Sequence, residues 1–302
     1  MEACYDLSPE ELREAYRREP RFTSQKEFAD VLRSLGVAPG IRLVVHSSLR
    51  SLGEFEGGPE GLCRTLQELV TEDGTLLMPG LSGYPRSGEP YCFDPEKSRV
   101  AVGIVPDTFR RLPGVVRSWN PTHSICAWGR DKERFVRRHH LVPTMDPESP
   151  LGLLEQGGGY CLMIGCYTKV TFMHVVETSC GAPCLGLRTE EYDGLLYGKP
   201  VRLRTWSWRN GECRALDSDR IFDFMRARGT VAERMLGHSH LVFFRLADYR
   251  EAYSSRLLDP ATGCANCSVK PRQVAQTVPT DWDAERRQLR PETPAYTGEW
   301  HA

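Results

Sequence analysis

No stretch of this 302-residue chain approaches the ~18 consecutive apolar residues that a membrane-crossing helix needs. The first 26 residues are rich in Glu and Arg and have no apolar centre of the kind that marks a secretory signal, so a cytoplasmic location is the expectation. Net charge is also scarce. Lys and Arg total 39 against 40 Asp and Glu, leaving −1, so the chain shows no basic footprint for nucleic acid and no overall acidic excess for a polycation. The phosphate loop G-x-x-x-x-G-K-[ST], the dinucleotide fingerprint G-x-G-x-x-G and the zinc-protease motif H-E-x-x-H are all missing. Their absence argues against the nucleotide, dinucleotide and zinc-protease chemistry those motifs carry. Internal repeats and low-complexity tracts are missing as well. The eleven cysteines are odd in number and scattered through apolar segments, which reads as buried thiols rather than a disulfide framework.

What is present alternates. Ser8 with Glu11, and Ser24 followed by Phe28, Val31 and Leu32, predict two capped amphipathic helices, the second stopped by Gly36. Residues 41–49 read as a buried strand running into a loop, 57–71 as a helix, and 73–80 as a turn and second strand. A helix over 102–114, strand candidates at VVRS and SICAWG, a charged helix over 131–140, a strand over 159–166 and a helix over 170–180 follow. The expected fold class is therefore α/β, with a mixed, mainly parallel central sheet flanked by helices. A β-hairpin subregion is expected over 199–216, turning at Asn210-Gly211. A helix, a strand and a final helix complete one domain over 1–270. Residues 271–302, with four prolines and few apolar side chains, read as a tail.

In an open α/β sheet, ligands bind beyond the carboxyl ends of the strands. Three segments fall there. His174 and Glu177, three apart on a helix, share a face, and a carboxylate beside an imidazole suits a general base. His46-Ser47-Ser48 offers a serine, but adjacent strand residues point to opposite faces, so His46 does not readily activate Ser47. The loop Ser47-Ser48-Leu49 instead offers hydroxyls and N–H groups to a carbonyl or phosphate. Pro121-Thr122-His123-Ser124 presents a histidine before a strand. Cys264 and Cys267 could join Cys180 and Cys184 around zinc, but neither spacing is specific and no metal is expected.

Taken together, HSSLRSLG (46–53), DGTLLMPG (73–80), FDPEKS (93–98), VPDTFRRLPGVVRSWNPTHSICAWG (105–129), SPLGLL (149–154) and the run from MIGC to VTFMHVVE (163–177) resemble the aminoglycoside 3-N-acetyltransferase family, the antibiotic N-acetyltransferases. The resemblance spans roughly 22–260. It implies acetyl-CoA as donor and direct transfer to a small-molecule amine, without an acyl-enzyme, metal, nucleic acid or membrane. A homodimer is compatible with it. It makes His174 the base, with Glu177 in the same pocket, and a later carboxylate near Glu212, Asp217 or Asp219, of which Asp217 is favoured, as the group that orients the histidine. Ser47, Ser48 and Leu49 would hold the pantetheine arm and stabilise the oxyanion, with His123 and Ser124 beside the thioester. The chain departs from the family pattern at Gly80-Leu81, Asn120 and Val170-Thr171, positions expected to line the donor or acceptor pocket. An acidic pocket for a polycation could draw on Glu190, Glu191 and Asp193. A serine hydrolase using Ser47 or Ser48 with His174 is the competing enzyme class, and a non-catalytic zinc-stabilised scaffold the competing non-enzyme.

Overall fold

The computed structural model describes residues 8–82, 92–166, 170–182, 185–196, 198–210, 218–261 and 263–264. Strands, in chain order, are β1 (Phe22–Thr23), β2 (Arg42–Ser47), β3 (Glu54–Phe55), β4 (Thr75–Pro79), β5 (Cys92–Phe93), β6 (Val116–Arg117), β7 (Ile125–Gly129), β8 (Tyr160–Ile164), β9 (Leu185–Leu196), β10 (Lys199–Asn210), β11 (Val231–Leu236) and β12 (Ser239–Arg245). Helices are α1 (Pro9–Arg18), α2 (Gln25–Leu35), α3 (Gly58–Val70), α4 (Ile104–Phe109), α5 (Lys132–Val136), α6 (Pro150–Gln156), α7 (Met173–Ser179), α8 (Ser218–Ala227) and α9 (Leu246–Leu257).

The central sheet runs β11-β12-β8-β2-β4-β7-β6. Strand side chains alternate between its two faces. Val44, Leu77 and Met163 pack under α7, α8 and α9 in one core. Leu43, Val45, Leu76, Leu162 and Ile164 pack under α2 and α3 in the other. The expected helix starts form as read: Ser8 and Glu11 close a reciprocal capping box on α1, and Ser24 accepts the Glu27 N–H on α2, which Gly36 ends at φ 107°.

The α/β class and the mixed sheet match the expectation, but the sheet is not mainly parallel. Only β8–β2 and β2–β4 are parallel; β11–β12, β12–β8, β4–β7 and β6–β7 are antiparallel. The connections explain this. Parallel neighbours need a crossover of a dozen or more residues, which α3 supplies between β2 and β4, whereas β11–β12 and β6–β7 are joined by short loops. The hairpin also differs. β10 pairs antiparallel with β9 from Leu196↔Lys199 outward, with Gly198 at φ 74° in the connection. The expected turn at Asn210-Gly211 falls where the described residues end, and Gly211 lies outside them. Residues 271–302 lie outside the described part of the chain.

Candidate active site

The carboxyl ends of β2, β4 and β8 and the start of β7 meet at one rim of the sheet. Beyond β2, residues Leu49–Leu52 form a short 3-10 turn. The loop before it lines a cleft of ≈ 550 Å³ together with Leu81, Val102–Pro106, Gly165, Cys166, Thr171 and the start of α1. Ser47, Ser48 and Leu49 all line this cleft. The Ser48 N–H, however, donates to the Ile164 carbonyl at 2.8 Å and is not available to an oxyanion. The donors that the loop leaves without an intrahelical acceptor are those at the head of the 3-10 turn, Leu49 and Arg50.

His174 stands on α7, one turn beyond cleft-lining Thr171, whose carbonyl accepts the His174 N–H at 3.2 Å. Its Nδ1 lies 2.9 Å from Glu177 Oε2. The helical i,i+3 spacing produces this contact, as the sequence implied. Glu177 has 0% of its side chain exposed, against 21% for His174. A buried carboxylate needs compensating donors, and Tyr253 of α9 supplies one, its hydroxyl donating to Glu177 Oε1 at 2.5 Å. Since the carboxylate accepts, Nδ1 carries the hydrogen and the basic lone pair of His174 sits on Nε2.

Tyr253 lies 76 residues beyond Glu177, and no local motif pointed to it. Its only sequence trace is its place in the apolar stripe of α9. Of the expected orienting carboxylates, Asp217 and Glu212 lie outside the described residues, and Asp219 is exposed at the start of α8. Asp193 is exposed on β9, and the side chains of Glu190 and Glu191 are outside the described residues.

His123 lies within electrostatic reach of His174. Burial first, then the nearby His174, push its ring down to about 4, so it is neutral at pH 7. Asn120, 1% exposed, builds the turn that presents it: its Oδ1 accepts the N–H groups of Thr122 and His123 at 3.2 and 2.8 Å. Asn120 thus positions His123 in this chain. Ser124 does not behave as a ligand-facing hydroxyl. It is fully buried, donates to the Gly80 carbonyl at 2.5 Å and accepts from Arg117 Nε at 2.9 Å. It belongs to a strut that ties β7 to the loop after β4. Arg117 also reaches the Gly80 carbonyl at 2.6 Å and Ser82 at 2.8 Å, a network that sequence reading missed. His46 lines the cleft with its Nε2 buried and unpartnered, and burial depresses it to about 4.

Among the described cysteines three are core residues and Cys92 is exposed. Cys63, Cys126 and Cys161 are buried and free, and burial raises the Cys63 thiol to about 12. Cys264 packs at the edge of the α9 core; Cys267 lies outside the described residues. Among the described residues no group of three His, Cys, Asp or Glu side chains is placed to hold a metal ion, and no helix is long and apolar enough to cross a membrane.

Comparison with known proteins places this geometry. The family described as aminoglycoside 3-N-acetyltransferase matches residues 44–257. This chain belongs to that family. Aminoglycoside N(3)-acetyltransferase IV of Salmonella sp is 38% identical over 160 residues, covering 52% of this chain and 59% of the relative. The chain thus spans about three fifths of that protein's length. Aminoglycoside N(3)-acetyltransferase VII of Streptomyces paromomycinus is 30% identical over 227 residues, covering 68% of this chain and 76% of the relative. Among solved structures, a histidine-to-alanine mutant of aminoglycoside acetyltransferase AAC(3)-IVa in complex with a gentamicin superposes with a TM-score of 0.67. It is 29% identical, and the match covers 78% of this chain and 89% of that one. The family segment, 44–257, contains the loop after β2 and the α7–α9 contact, so the His174–Glu177–Tyr253 chain lies wholly within it.

Proposed function

We propose that this chain transfers an acetyl group from acetyl-CoA to an amine of an aminoglycoside-type substrate, with His174 as general base. The observation that carries this reading is the hydrogen-bonded chain Tyr253–Glu177–His174, 2.5 and 2.9 Å long, at the strand ends beside an open cleft. Names of relatives that are aminoglycoside acetyltransferases support the same chemistry.

An amine that is protonated at neutral pH is not a nucleophile. Once it has lost its first proton to solvent, its nitrogen attacks the thioester carbon while His174 Nε2 takes a second proton. The C–N bond forms, the tetrahedral oxyanion collapses, the C–S bond breaks, and the coenzyme A thiolate leaves and takes up that proton. Glu177 holds the ring in its Nδ1–H form and offsets the imidazolium charge, while Tyr253 fixes Glu177. The Leu49 N–H is the loop donor assigned to the oxyanion, a contribution typically worth ~3 kcal/mol. The thioester is already activated, so positioning supplies much of the remainder. In this reading the amine itself attacks the thioester, so no serine nucleophile is needed.

A thiol-release assay with acetyl-CoA and a panel of aminoglycosides and simple amines tests this reading. Release that depends on an aminoglycoside, with a product one acetyl group heavier, is the expected result. Thiol release that is indifferent to every amine removes the proposal, and labelling by an active-site serine reagent would favour the hydrolase. The loop assignment has its own test. Ser48→Trp fills the cleft mouth and should weaken coenzyme A binding at least tenfold by calorimetry, a loss of ~1.4 kcal/mol; unchanged affinity moves the donor elsewhere.

A further inference from the structure

The two oxygens of the buried Glu177 carboxylate are taken by different helices. His174 of α7 donates its Nδ1–H to Oε2 at 2.9 Å, and Tyr253 of α9 donates its hydroxyl to Oε1 at 2.5 Å. We infer that Tyr253 is a positioning residue that keeps Glu177 in its charged, accepting form and, through Glu177, sets the pH range over which His174 holds the tautomer able to act as a base. The inference rests on reading His174 as the base.

Three observations support it. Scarcity of donors comes first. A carboxylate offers about four lone-pair sites, and among the described residues Glu177 receives these two donors alone. Its side chain is 0% exposed, so bulk water does not supply the rest. A carboxylate taken out of water with too few donors reverts to its neutral form.

Charge comes second. Among the described residues the one ion pair of Glu177 is with His174, which is a cation only after it has accepted a proton. Arg250, three residues before Tyr253 on α9, is engaged elsewhere: its Nε and Nη2 both pair with Glu155 of α6. Tyr249 on α9 and Cys180 on α7 lie within reach of the Glu177 charge, but burial raises both groups, so they are neutral at pH 7. Cys161 of β8, beside Tyr249, is raised by burial as well. On the other side of the pair, His123 is neutral beside His174. The Tyr253 hydroxyl is therefore the one donor on Glu177 that does not come from the base itself.

Placement comes third. The Arg250 guanidinium bonds α6 and lies 5.5 Å from the ring centre of Phe172, at the start of α7. That contact ties α9 to α7 one helical turn from Tyr253, which is itself fully buried against Tyr249. The hydroxyl is thus delivered by a fixed helix.

Loss of the hydroxyl favours protonated Glu177. Its O–H would donate to Nδ1, which must then accept, and the imidazole hydrogen moves to Nε2. The lone pair that takes the amine proton is gone. Glu177 and His174 titrate as a pair. Without the hydroxyl the pair takes up its extra proton at higher pH, so activity is lost earlier as pH falls and returns as pH rises.

The test is kcat across about pH 6 to 9 for the wild type, Tyr253→Phe, Glu177→Gln and the double variant. Tyr253→Phe should move the acid limb upward by about one pH unit, the scale of one hydrogen bond to a charged group. On that limb kcat falls roughly tenfold, while near the top of the range it approaches the wild-type value. KM for acetyl-CoA should not change. In the Glu177→Gln background the same substitution should alter kcat by less than about twofold, whereas a packing role would add its full effect there. An unmoved limb, a loss equal at every pH, or additive losses in the double variant overturns the inference. Should Tyr253→Phe not fold, the ring nitrogen chemical shifts of the wild type decide: hydrogen on Nδ1 of neutral His174 is expected, and hydrogen on Nε2 overturns it. Wild-type kcat in His174→Ala removes the base reading too, whereas an inactive His174→Ala with an unmoved limb in Tyr253→Phe removes this inference alone.

Discussion

His174→Ala is expected to lower kcat by roughly 100-fold or more, the scale of lost general-base catalysis. The size follows from the chemistry the ring is placed to do. Without an imidazole beside the thioester, the attacking nitrogen must shed its proton to water as the C–N bond forms. Glu177→Gln should lower kcat roughly tenfold or more, because an amide can present its NH2 group to the imidazole and favour the wrong tautomer. It also leaves the His174 cation without a counter-charge. Both variants should bind coenzyme A with near wild-type affinity, since neither side chain lines the cleft that carries Ser48. Steady-state kinetics with calorimetric binding separates the two effects. Wild-type kcat in a folded His174→Ala chain contradicts the assignment.

The second large effect is on stability, and it comes from histidines rather than carboxylates. Burial holds His46, His123 and His139 at about 4 and His140 at about 3. His139 is neutral by construction: its Nε2–H donates to the Thr144 carbonyl at 3.0 Å, and its Nδ1 accepts from Ser118 at 2.9 Å. His140 lies against Trp119 at 5.1 Å with neither ring nitrogen partnered. In the unfolded chain these rings protonate near ~6.5. Below that pH the unfolded state therefore binds more protons than the folded state, and stability falls as pH falls from about 6.5 to about 4. Above about 6.5 the contribution is fully present. Each ring contributes up to ~1.4 kcal/mol per pH unit, so over the ~1.5 units down to pH 5 four together remove on the order of 7 kcal/mol, comparable to the whole stability of many domains. Urea unfolding at pH 7, 6 and 5 should show a steep loss. His140→Phe should flatten it by about a quarter. Equal midpoints at pH 7 and pH 5 would show that these rings are not held neutral.

Much of the site could be read from local spacing. His174 and Glu177 meet because helical period puts i and i+3 together, and the 46–49 segment lines a cleft because a buried strand must end at the rim of its sheet. What local pattern could not show is what distant pairing does to individual groups. The Ser48 N–H is committed to Ile164 because β2 lies beside β8, a pairing over a hundred residues apart in sequence. Ser124 turned from an expected ligand contact into a strut once Arg117 and Gly80 folded around it. Tyr253 reaches Glu177 only because α9 packs on α7. The sheet followed the same rule: alternation announced strands and helices, while short connections made its outer pairs antiparallel. The β9–β10 hairpin was missed for a related reason, since its connection at Gly198 carries none of the turn dipeptides that announce a hairpin.

Chemical rescue tests the proposed base most directly. In a folded His174→Gly chain that still binds coenzyme A, added imidazole should restore amine acetylation in proportion to its neutral form, because the vacated space adjoins Glu177. Acetylation by that variant at the wild-type rate, with no imidazole present, would contradict the account.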